Sequence, residues 1–240
     1  MKITHIHTQI VRLPADEPLA GGPVVAGATR DFVALQVGTD AGIEGIGVTF
    51  FGGALTGALR AAVDALGALA IGEDPLRIEA IVSKLRAAAG NCGPGGIFTL
   101  ALSAIDIALW DIRGKALNLP LSKLVGGYRE RVPTYASGAL MRNFSLEHVA
   151  KAGAKLVEKG FRQMKMQLAL PGEPSPEREV ERARLIREAI GESIDLMCRA
   201  TATSSLPYSS GSWPGYQPFC SFHSSHQVIR SLYLRTTKST

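Results

Sequence analysis

The residues from Ile97 to Leu117, IFTLALSAIDIALWDIRGKAL, constrain the fold of this chain more than any other stretch. They carry four charges in all, Asp106, Asp111, Arg113 and Lys115. The segment reads as a helix of about six turns, closed by Asn118 and Pro120. A helix that is apolar nearly all round must be buried on most of its sides. Other elements therefore have to pack around it, and the chain must build a true core. No run of about eighteen apolar residues occurs, so a membrane span is not indicated.

The preceding residues supply the packing partners. Residues 2–13, KITHIHTQIVRL, alternate as a strand, with Ile3, His5, His7 and Gln9 expected on one face, and Pro14 ends it. A Gly/Pro-rich loop covers 14–30. DFVALQVGTDAGIEGIGVTFF then reads as a hairpin turning near Asp40-Ala41-Gly42, where glycine supplies positive φ. Leu55, Leu59, Val63 and Leu66 form the apolar stripe of a helix over 54–70. Asp74 and Pro75 are placed as N-cap and first residue of the next helix. NCGPGGIF is glycine-rich but lacks the Lys-Ser/Thr of a phosphate loop, and reads as the lead-in to the apolar helix.

From Val132 the rhythm changes. VPTYAS is expected to be a strand, Ser145 to cap a helix ending at Gly160, and FRQMKMQLAL to be a second strand. Ser175-Pro176 opens a helix with Glu177 and Glu179 in its positive first turn, and Gly191 closes it. SIDLMC is the third strand. Strands recurring about every 30 residues have the βαβ spacing of a parallel sheet or a (β/α)₈ barrel.

The segment ALSAIDIALWDIRGKALNLPLSKLVGG, residues 101–127, resembles the signature helix of the mandelate racemase and muconate lactonizing enzyme family, within the enolase superfamily. The resemblance extends over residues 1–198. It implies an α+β capping domain over 1–127, an incomplete (β/α)₈ barrel over 128–198, about β1-α1-β2-α2-β3, and an irregular tail over 199–240. It also implies a reaction class: abstraction of the proton α to a carboxylate, of the racemase or acid-sugar dehydratase type. A divalent metal, Mg²⁺ in the family, would stabilise the enediolate. The implied substrate is a small carboxylate or sugar acid, and the implied assembly a homo-oligomer.

Carried onto this sequence, the family's Lys-x-Lys of the second barrel strand falls on Lys165-Met166-Gln167. Positions i and i+2 of a strand share a face, so Lys165 and Gln167 are the candidate catalytic positions. Gln167 stands where the second lysine is usual, and an amide cannot abstract a proton at any useful pH. Phe50 and Phe51, with the loop 14–30, correspond to capping-domain loops that close over substrate. The third strand should run into an aspartate metal ligand; this chain has Arg199-Ala200-Thr201. No metal ligand is assigned, so Mg²⁺ is expected of the family and doubtful in this chain. Five further βα units need roughly 150 residues, whereas 42 follow Cys198. The expectation is a barrel cut off after its third strand and inactive alone. The alternative is a noncatalytic binding or oligomerisation module built on the capping domain.

Charge points the same way. Of 26 basic residues four lie in 199–240, which holds no acid, so residues 1–198 carry 22 bases against 21 acids. The net charge of +5 belongs to the tail. Four cations over 42 residues, without a recognisable motif, exclude a nucleic-acid-binding reading even though aromatics interleave with them. The tail has the composition of a shifted reading frame; a natural linker or interaction tail is the alternative. Three separated cysteines form no disulfide or zinc pattern, and reduced thiols in a cytoplasmic protein are the default. His5 and His7 read as surface histidines. Asp111 and Lys115, at i, i+4, read as a structural ion pair in preference to a carboxylate pair with Asp106.

Overall fold

A computed structural model describes residues 1–14, 29–92, 95–168, 175–199 and 221–223. The loop 14–30, apart from its ends, and most of the segment after Arg199 lie outside the described residues. The chain divides into two compact units, with the division between Arg131 and Val132.

In the first unit, β1 (Ile3–Pro14), β2 (Thr29–Thr39) and β3 (Glu44–Thr49) form an antiparallel sheet in that order. The turn between β2 and β3 closes as expected: Gly42 has φ +73°, and its N–H donates to the carbonyl of Thr39 at 3.1 Å. Helices α1 (Thr56–Ala68), α2 (Ile78–Ala89), α3 (Gly96–Leu117) and the single turn α4 (Leu121–Leu124) follow. The apolar helix is α3. Its Ala101, Leu102, Ala104, Ile105, Ala108, Leu109 and Ile112 are buried, with α1, α2 and β3 packed against it. Asn118 takes the left-handed conformation that ends α3, and Leu119 N–H returns to the Gly114 carbonyl at 2.9 Å.

Two expectations in this unit are corrected. The register of β1 shifts between Ile3 and His5, so Ile3 is buried while His5, His7 and Gln9 are exposed. The bulge breaks the simple alternation. Helix α2 begins at Ile78, not at Pro75, because the Asp74 carboxylate accepts the Leu76 N–H at 3.1 Å. That local turn competes with a helical N-cap.

In the second unit, β4 (Ala136–Leu140), β5 (Gln163–Gln167), β6 (Asp195–Arg199) and β7 (Ser221–His223) form a parallel sheet in chain order. Helices α5 (Leu146–Glu158) and α6 (Pro176–Ile190) connect β4 to β5 and β5 to β6. Both are capped as expected: Ser145 accepts from His148 N–H, and Ser175 from Arg178 N–H. Met164, Met166, Leu196 and Cys198 are buried in one cluster with Val149, Leu156, Ala183 and Ile186 of the helices.

Three further departures belong here. β4 starts four residues later than VPTYAS suggested, since Pro133 has no N–H to give a ladder and residues 132–135 stay exposed. A fourth strand, β7, pairs with β6 inside the segment expected to be irregular. Three residues are too few to show a two-residue period, and the pairing is offered by the open backbone of β6. Cys198 is in a disulfide whereas Cys92 is a free, exposed thiol. Separation in sequence had pointed to reduced thiols throughout, but it does not fix separation in space.

Candidate functional site

The arrangement that can carry chemistry lies on the sheet face of the second unit opposite α5 and α6. Along β5 the burial alternates: Met164 and Met166 are sealed against the helices, while Gln163, Lys165 and Gln167 are half-buried on the other side. Parallel pairing sets Gln163 level with Asp195, Lys165 with Met197, and Gln167 with Arg199. The Gln163 amide donates to the Asp195 carboxylate at 3.1 Å, which ties the two strands at the N-terminal end of this face.

Lys165 is the cationic side chain at the middle of β5 on this face. Its Nζ lies 4.9 Å from the centroid of the Tyr135 ring and donates a long, 3.4 Å hydrogen bond to the Tyr135 hydroxyl. The ring thus holds the ammonium by its π face. Donors remain on Nζ for an anionic group, because an ammonium carries three. Tyr135 was not singled out in the sequence. It precedes β4 and meets Lys165 across 30 positions, and no local pattern signals such a pair.

Lys165 and Gln167 therefore share a face, as their spacing required. Phe50 and Phe51 belong to the first unit, at the end of β3. The Phe50 and Phe51 rings stack with centroids 4.0 Å apart, and Phe32 packs against Phe50 at 5.5 Å. Phe51 has φ +72° and is 78% exposed. A bulky residue in the left-handed region is strained, and exposure removes any packing reason for the strain.

A divalent cation needs several oxygen donors. Among the described residues no group of three or more His, Cys, Asp or Glu side chains could hold a metal ion. The strand-end row offers a neutral amide at Gln167, level with an arginine position. Among the described residues, this face does not offer the set of oxygen donors that Mg²⁺ takes. Among the described residues, too, no helix is long and apolar enough to cross a membrane.

Residues 8–126 match the N-terminal domain of mandelate racemase / muconate lactonizing enzyme proteins. This chain belongs to that family. Its relatives include the L-talarate/galactarate dehydratase of Salmonella typhimurium, 28% identical over 83% of this chain and 50% of the relative. The 3,6-anhydro-alpha-L-galactonate cycloisomerase of Streptomyces coelicolor is 33% identical over 82% and 54%. Among solved structures, a racemase from Streptomyces coelicolor with bound magnesium superposes with a TM-score of 0.76 at 30% identity, covering 90% of this chain and 60% of that one. The chain spans about half the length of the curated relatives it matches. The family thus contains acid-sugar dehydratases and cycloisomerases, and a magnesium-bound member.

Proposed function

We propose that the chain is a carboxylate-binding segment of the enolase superfamily scaffold: a capping domain over 1–127, then the first βα units of a (β/α)₈ barrel over 128–198. The observation that carries this reading is Lys165, held by Tyr135 on the sheet face that points away from the helices. In such a barrel that face is the interior, and ligands meet it at the C-terminal ends of the strands. Lys165 there would pair with the carboxylate of a small sugar acid.

The same face argues against turnover by this chain. Gln167 supplies no base, the strand-end residues do not fit the metal, and residues 199–240 hold no carboxylate at all. The chain therefore binds without completing α-proton abstraction. Incubation with Mg²⁺ and a panel of 2-hydroxy and sugar acids in D₂O should give no deuterium at the α carbon. Isothermal titration should still detect binding that Lys165→Met weakens about tenfold, the worth of one charge-assisted contact. Metal-dependent α-deuteration would overturn the inactive reading, and binding indifferent to Lys165→Met would overturn the site.

A second reading, a noncatalytic oligomerisation module, is favoured by the exposure of Val125, Tyr128 and Val132. Self-association in sedimentation velocity, without sugar-acid binding, would select it.

A further inference from the structure

Arg182, near the end of the second turn of α6, is the one charged side chain with no exposure at all among the described residues. Its Nη1 donates to the Phe144 carbonyl at 2.9 Å and its Nη2 to the Met141 carbonyl. The Met141 carbonyl also accepts the Phe144 N–H at 3.1 Å, so one guanidinium grips both ends of a tight turn. Residues 141–144 are the loop that leaves β4. Leu140 is level with Met166, so this loop starts beside Gln167.

The surroundings are costly for a cation. Burial draws the guanidinium down to about 10, and Glu179, one turn earlier on α6 and 3% exposed, opposes that shift. The Nε of Arg182 has no hydrogen-bond acceptor among the described residues. An apolar side chain of similar volume would fill the same space without the desolvation cost. What it could not do is hold two loop carbonyls. Packing alone would favour Met or Leu here; fixing the loop requires the fork.

We infer that Arg182 is a positioning residue that clamps the β4–α5 loop, residues 141–144, beside the strand-end face bearing Lys165 and Gln167. Its bearing on ligand binding rests on the carboxylate-binding reading above; the clamp itself does not. Hydrogen exchange on the full chain, read by mass spectrometry, tests it with Arg182→Met and Arg182→Lys. In Arg182→Met the amides of Arg142 to Phe144 should exchange about tenfold faster or more, the loss of two buried hydrogen bonds, while Met164 to Met166 keep their protection. Arg182→Lys, which retains a donor for one carbonyl, should recover part of the loss. Unchanged exchange of the loop overturns the clamp, as does acceleration spread evenly over α5, β5 and α6, the mark of a purely structural role. If Arg182→Met does not fold, Arg182→Lys decides by the same two criteria. A loop-specific response in a chain that shows no sugar-acid binding even as wild type upholds the clamp and sinks the carboxylate-binding reading instead.

Discussion

Two glycines of β3 show how closely single positions are set. A Cβ on Gly47 would lie 1.8 Å from the Ala104 carbonyl oxygen, and one on Gly45 2.2 Å from that of Ala108. Strand and helix backbones touch there, with Ala104 and Ala108 one turn apart on α3 giving the matching flat surface. Gly47→Ala should therefore destabilise the first unit by roughly 2 kcal/mol or more in urea unfolding. Gly57→Ala, where a Cβ would meet nothing within 4 Å beyond its own chain neighbours and helix backbone, should be neutral or slightly stabilising. Equal effects of the two would refute the close approach. Asp106, also on α3, carries a pH prediction. Burial raises its carboxyl above the usual value, Glu79 adds to the shift, and Arg86 partly opposes it. A raised carboxyl favours folding below the unfolded value and loses that contribution as pH rises through the folded one. At neutral pH the charge at 106 thus works against the fold. Asp106→Asn should raise Tm at pH 7 and match the wild type near pH 3; a lower Tm at pH 7 would contradict this. The glycines were visible in GIEGIGVTF, yet a strand glycine signals bulge and close approach alike. Only the partner, over fifty positions away, decides which.

At the scale of elements, β3 is an outer strand of its sheet, and α3 closes its edge with side chains. The Asp111 carboxylate accepts the Ile46 N–H at 2.8 Å, and Lys115 donates to the Glu44 carbonyl at 2.7 Å. The two side chains also pair with each other at 2.8 Å. Together they supply the acceptor and the donor that a neighbouring strand would have offered, which blunts an edge otherwise open to another chain. As a plain half-exposed ion pair, Asp111–Lys115 would contribute little. As an edge cap it does more: Asp111→Ala should cost about 1 kcal/mol, the worth of one backbone hydrogen bond, and Ile46 N–H should lose its exchange protection. Retained protection at Ile46 would leave only the ion pair. The i, i+4 pair was legible in the sequence, because helical spacing is local; its edge role was not, because β3 and α3 meet through the fold. Boundaries followed the same division. Both Ser-capped helices began where the cap residue placed them, whereas α2 and β4 started late, where an Asx-type turn and a proline overrode the apolar pattern.

For the molecule as a whole, the two-part layout was legible because it is written as a change of period: a hairpin and apolar helices first, then strand and helix in alternation. What stayed hidden was β7, Tyr135 beside Lys165, and the grip of Arg182, each a meeting of distant positions. Among the described residues, the buried hydrophobic side chains fall into two clusters that share no member. One gathers β2, α1, α2 and α3 around Ile105 and Leu109, and the other gathers β4, β5, β6, α5 and α6 around Leu156 and Met164. A core removes its own residues from water as a block, so each cluster should melt as its own cooperative unit. Ile105→Ala and Leu156→Ala test this, since both side chains are fully buried and each truncation should cost about 2–5 kcal/mol. Calorimetry of the wild type should resolve two transitions. Ile105→Ala should lower only the one whose hydrogen-exchange signature lies in 33–112, and Leu156→Ala only the one in 136–198. A single transition moved equally by both substitutions would mean that the clusters, though separate in membership, unfold as one.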